Sequence, residues 1–193
     1  MTTTTTDGPR ERILLAASRL LRTRGYGATS LRDIVKAADA PRGSLQHYFP
    51  GGKDQIVFEA MTVGISQVDQ MIAEAFRRTS GAEAAVRWFF VQSAEEMERR
   101  EFEAGCPVAL VALEHAGSDD EIAQLGRRSL NGWIERFAAH LREAGIDPRA
   151  ARRLGATIVN QYEGALILSR VGHDVEPLRN AGNAMRRLVA DAR

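Results

Sequence analysis

The chain has 193 residues, 44% hydrophobic and 26% charged, with a formal net charge of +1. It can bury a substantial core, yet no apolar run approaches the roughly 18 residues of a membrane span, and no signal peptide opens it. The single Cys106 excludes an intramolecular disulfide and fits a reducing cytoplasm. The small net charge joins two unlike parts. Residues 1–58 hold nine Arg or Lys against five Asp or Glu, and the remainder holds 17 against 20. A basic head on a mildly acidic body suits a DNA-binding module joined to one that binds something else.

In chain order, residues 1–6 form a threonine run with nothing to bury and read as a disordered leader. Ile13, Ala17, Leu20 and Leu21 stripe a first helix from Pro9 that stops at Gly25. The Thr29 hydroxyl caps a second, in which Leu31, Ile34, Val35 and Ala38 recur at helical spacing. Asp39-Ala40-Pro41 breaks it, since Asp tolerates a left-handed turn and Pro suits a helix start. A third helix over 41–49 turns Leu45 and Phe49 inward and sets Arg42, Ser44, Gln46, His47 and Tyr48 around the rest. Two short helices joined by a tight turn, the second bearing hydrogen-bonding groups, describe a helix-turn-helix reader of DNA.

A long helix begins at Gly51-Gly52-Lys53, carries Val57, Met61, Ile65, Val68, Ile72 and Phe76, and ends by Gly81. Residues 82–100 follow, with Val86, Phe89, Phe90, Ser93 and Met97 inward. Gly105-Cys106-Pro107 interrupts, and a short apolar helix spans 108–114. Ser118 and Glu121 read as the capping box of the next helix, lined by Ile122, Leu125, Leu130, Trp133, Phe137 and Leu141 and stopped by Gly145. Asp147-Pro148 starts a helix with Leu154, Ile158, Gln161, Ala165 and Leu168 on one face, and Gly172 ends it. Pro177 opens the last, where Leu178, Ala181, Met185, Leu188 and Ala192 alternate at three and four. The fold class is all-α, about nine helices, divided into a head over 1–52 and a body over 53–193.

The residues Gly25-Tyr26, Thr29-Ser30-Leu31-Arg32-Asp33-Ile34, Arg42-Gly43-Ser44-Leu45, His47-Tyr48-Phe49 and Lys53 resemble the DNA-binding domain of the TetR family of bacterial transcriptional regulators. Asp39 stands where the family often has Gly, and Gln46 where it often has Tyr. The resemblance implies that Arg42, Ser44, Gln46 and His47 face the major groove of double-stranded operator DNA, with Thr29, Tyr48 and Lys53 on phosphates and Gly43 among the DNA-binding residues. A second resemblance, of Gly105-Cys106-Pro107-Val108-Ala109-Leu110 with Pro50-Gly51-Gly52-Lys53, is to a subgroup whose members often repress exporter or detoxification genes and respond to drug-like or aromatic molecules.

The expected function is a ligand-responsive repressor that binds a palindromic operator as a homodimer. One head reads only a few base pairs, so selectivity needs two heads about 34–36 Å apart. The last two helices are the expected four-helix interface, with Leu154, Ile158, Ala165, Met185 and Leu188 at its core. Phe89, Phe90, Met97, Cys106, Leu110, Trp133 and Phe137 are the expected walls of an effector pocket, with Asn160 and Gln161 as its polar groups. The short helix after Pro107 is its natural moving part. His47, His115, His140 and His173 lack metal-ligand spacing, and no nucleophile motif or phosphate-cradling loop appears. Neither metal, cofactor nor enzyme activity is expected. Redox sensing through Cys106 is the alternative within regulation; a small helical enzyme and a DNA-architectural protein are the alternatives from other classes.

Overall fold

The computed structural model describes residues 8–41, 43–103 and 105–192; the leader over 1–6 and Arg42 lie outside them. Among the described residues there are nine helices and no strand. The head holds α1 (Pro9–Arg24), α2 (Leu31–Ala37) and α3 (Ser44–Tyr48). The body holds α4 (Gly52–Arg78), α5 (Ala82–Arg99), α6 (Ala109–Glu114), α7 (Glu121–Glu143), α8 (Pro148–Gly172) and α9 (Glu176–Ala190). No described helix is long and apolar enough to cross a membrane.

Two caps fall one or two residues from where local sequence places them. Ser30, not Thr29, caps α2: its Oγ accepts from Asp33 N–H at 3.1 Å while Ser30 N–H donates to Asp33 Oδ2 at 3.2 Å. The third residue of this helix is an acceptor only in that register, so the reciprocal pair selects it. At α7 the cap is Asp120, whose Oδ1 accepts from Ala123 N–H at 2.7 Å, and Ser118 Oγ donates to its other oxygen at 2.6 Å. A carboxylate accepts more strongly at a helix N-terminus than a hydroxyl, and those two donors hold Asp120 well below the usual carboxylate range. The third helix is also shorter than expected, with Ser44 N–H closing a turn on Pro41 O at 2.9 Å.

The body core lies where α5, α7, α8 and α9 meet. Phe89, Phe90, Trp133 and Phe137 are fully buried there. Phe89 meets Phe137 edge-on at 5.2 Å and Tyr162 at 4.9 Å between ring centres. Phe89, Phe90 and Phe137 therefore pack as core with Tyr162, because rings at these separations leave no room between them, and Trp133 is buried with them. The helices close on one another at glycines. A Cβ on Gly155 would stand 2.5 Å from Ile134 O, and one on Gly64 of α4 would stand 2.4 Å from Pro107 Cβ. The second contact seats the Gly105-Cys106-Pro107 entry against the long helix that leads to the head.

Candidate functional site

The head exposes Gly43, Gln46 and His47, with Ser44 and Tyr48 half-buried beside them. The His47 and Tyr48 rings meet edge-on at 4.8 Å. Two expected phosphate contacts sit differently. Thr29 is fully buried and its hydroxyl donates to Gly25 O at 2.7 Å, so this side chain stabilises the turn after α1. Lys53 Nζ donates to Tyr26 O at 2.8 Å and lies 3.8 Å from the Tyr26 ring centre. Tyr26 in turn donates from its hydroxyl to Asp54 at 2.6 Å, a bond that pushes the phenol up to about 12. These contacts fix the start of α4 against the head.

The body grips the end of α1 at three places. Arg22 Nε donates to Gly105 O and Gly105 N–H donates to Arg22 O, each at 3.2 Å. Arg170 of α8 donates to Arg22 O at 3.3 Å and Thr23 O at 2.7 Å, satisfying carbonyls that a helix C-terminus leaves open. Glu114, the last residue of α6, accepts from the N–H groups of Tyr26 and Gly27. His115 rests edge-on against the Tyr26 ring at 4.7 Å. α6 and the Gly105 entry are thus bonded directly to the head.

Beside this joint is a cavity of about 480 Å³ between α4 and α5, a volume suited to a small molecule. Val68 and Met71 of α4 and Trp88 and Met97 of α5 supply apolar walls; Tyr162 and Leu166 of α8 form its base. Gln67, Gln92 and Ser93 supply hydrogen-bonding groups, and Arg22 and Gly105 close the end toward the head. Of the nine expected pocket side chains, only Met97 lines it. Phe89, Phe90, Trp133 and Phe137 belong to the core, Cys106 is buried, Leu110 is half-buried on α6, and Asn160 and Gln161 are exposed on the far side of α8. The reason is angular. Each helical residue turns about 100° from the last, so Trp88 faces the cavity while Phe89 and Phe90 face the core, and the Phe89 stripe reaches the cavity only farther along α5, at Ser93 and Met97. The stripe Trp88, Gln92, Glu96 and Arg99 at i, i+4, i+8 and i+11 was the available signal, but its polarity reads as a solvated face.

Cys106 Sγ accepts from Val108 and Ala109 N–H at 3.4 Å each, at the start of α6. Burial, and then Glu163 beside it, push its thiol well up. Redox sensing needs an accessible thiolate, and both the burial of Cys106 and the direction of this shift run against one. Burial raises Glu163 to about 7, and its Oε1 has no hydrogen-bond partner among the described residues. A carboxyl raised in the folded state binds a proton there before it would in the unfolded chain. Its contribution is therefore fully favourable below about 4.5 and is lost as pH rises through about 7. Glu163→Gln is expected to flatten this loss, gaining stability over the wild type at pH 8 relative to pH 5. Urea midpoints at the two pH values check it, and equal slopes would refute it.

Three expected interface residues lie inside the monomer: Ile158 is 0%, Ala165 5% and Met185 3% exposed. Leu154 is half-buried and Leu188 is 46% exposed. The exposed apolar residues of α8 are instead Ile167, Leu168 and Val171, at 58%, 62% and 79%. Over its last turns α8 is apolar on both faces, with Ala165 and Leu166 buried and Ile167, Leu168 and Val171 exposed, so periodicity alone could not choose the outward one there.

The family described as "Bacterial regulatory proteins, tetR family" matches residues 13–60, and "Transcriptional regulator LmrA/YxaF-like, C-terminal domain" matches 82–184. The chain is 36% identical over 169 residues to the HTH-type transcriptional regulator YxaF of Bacillus subtilis (strain 168), covering 88% of each. It is 28% identical to the HTH-type transcriptional regulator LmrA of the same organism, covering 93% of this chain and 96% of that one. The crystal structure of a TetR transcriptional regulator from Legionella pneumophila shares the fold, with TM-score 0.85 at 21% identity, covering 95% of this chain and 98% of that one.

Proposed function

The chain belongs to the TetR family of bacterial transcriptional regulators, and from that premise we propose that it is a homodimeric repressor released from a palindromic operator by a small molecule held in the α4–α5 cavity. The head over 1–52 reads DNA and the body over 53–193 senses the ligand and pairs the subunits. The observation that carries this reading is the wall shared between them: Arg22, from the first helix of the head, closes one end of a body cavity. A ligand that prefers one arrangement of that wall shifts the head by its preference, and about 1–3 kcal/mol is a typical coupling.

On DNA, Gln46 and His47 are the exposed side chains of α3, and Gln46 carries a paired donor and acceptor suited to an adenine edge. The pairing surface is the outward seam of Ile167, Leu168 and Val171 on α8 with Leu188 on α9. Gly164, one turn before Ile167, is also exposed and would let a second α8 approach closely.

The test is operator selection from a randomised DNA library, followed by a screen for compounds that release the bound protein. The wild type is expected to select a palindrome, and Gln46→Ala to blur one position per half-site at a cost of about 1–3 kcal/mol. Unchanged selectivity in Gln46→Ala would remove Gln46 from the reading face. Failure of the wild type to select any sequence would end the reading as a whole.

A further inference from the structure

The charges around the cavity are unevenly matched. Glu96 is shared by Arg99 and Arg100, and Glu74 is held by Arg77 and Arg78 from outside the wall. Both lining carboxylates are thus already neutralised. Arg22 stands differently: its guanidinium donates to Gly105 O at 3.2 Å and to Gln67 Oε1 at 3.3 Å, both neutral acceptors, and the carboxylate that acts on it, Glu96, is bonded to Arg99 and Arg100 instead. Resting on the reading of this cavity as the effector site, we propose that the effector is a flat apolar anion whose acidic group pairs with Arg22 while its body lies against Trp88, Met71 and Met97.

Two physical points support this. A guanidinium bound only to neutral acceptors has no counter-charge at hydrogen-bond distance, so an incoming carboxylate, sulfonate or acidic phenol adds Coulomb attraction, strong in a partly desolvated site, to the hydrogen bonds it replaces. Burial, then the nearby Arg100, depress the Arg22 guanidinium. Such a position is relieved by negative charge and worsened by positive charge. The consequence reaches the head without a separate relay. An anion drawing the guanidinium away from Gly105 and Gln67 loosens one of the bonds holding the last turn of α1, immediately before the Gly25 to Gly27 turn that Glu114 holds.

The test uses anilinonaphthalene sulfonate and its uncharged counterpart phenylnaphthylamine, which share rings and differ in the acid. Fluorescence titrations of the full chain are expected to give the sulfonate at least about tenfold tighter binding than the neutral probe. Arg22→Gln should lose about tenfold for the sulfonate and change the neutral probe less than about twofold, with Arg22→Lys recovering part of the loss. Gln67→Glu, at an exposed position, gives Arg22 an internal counter-ion and should weaken the sulfonate alone. Met71→Trp fills the cavity and should abolish both probes. Sulfonate affinity unchanged in both Arg22→Gln and Gln67→Glu, with Met71→Trp still abolishing binding, overturns the anion assignment and leaves the cavity as the ligand site. Both probes surviving Met71→Trp overturns the cavity reading and this inference with it.

Discussion

A Leu168→Arg protein is expected to sediment as a monomer at micromolar concentration and to bind the operator at least about a hundredfold more weakly than the wild type. Leu168 is 62% exposed beside Ile167 and Val171 on α8, so the substitution leaves the monomer core untouched. In the proposed pair this position meets the same surface of the second subunit across a twofold axis. Each arginine would then be buried near its own copy, with desolvation and like-charge repulsion both opposing association. Loss of pairing removes the second head, and a single head approaches non-specific affinity. Met185→Arg provides the contrast: at 3% exposure it should unfold the body rather than dissociate it. A Leu168→Arg protein that remains dimeric would place the interface elsewhere.

The second large effect is on stability. Phe89→Ala is expected to destabilise the protein by about 3–5 kcal/mol and to lower the thermal midpoint by on the order of 10 °C. The ring is fully buried, with Phe90, Phe137 and Tyr162 around it at 5.7, 5.2 and 4.9 Å. Truncation leaves a void that rings packed from three helices cannot collapse to fill. Phe89 does not line the α4–α5 cavity and reaches it only through Tyr162, so effector affinity at temperatures where the variant is folded should fall far less than stability does. A loss below about 1 kcal/mol would mean that the core relaxes far more readily than such packing allows. A selective loss of effector affinity with stability intact would instead return Phe89 to the binding site.

The limits of the helices were legible because their signals are local. Gly25, Gly81 and Gly145 take positive φ at helix ends or entries, and Asp147-Pro148 caps and opens α8 as its two residues suggest. The helix-turn-helix was legible for the same reason, as a short pattern read within one stretch of chain. The misplaced caps show where local signals compete. Thr29 and Ser30 are both good caps, as are Ser118 and Asp120, and the turn geometry chose between neighbours.

By itself, then, the sequence determined the all-helical fold, the head with its exposed Gln46 and His47, and the family, all of which depend on spacing along the chain. Tertiary structure alone decided which neighbour of an adjacent pair faced which partner. Trp88 went to the cavity and Phe89 to the core; Leu168 went outward and Ile158 inward. It also brought Arg22 to Gly105 and Arg170 across 83 and 148 positions of chain. Helical periodicity carries one angle per helix, whereas a site between helices depends on how several angles are set by the common burial of their apolar faces.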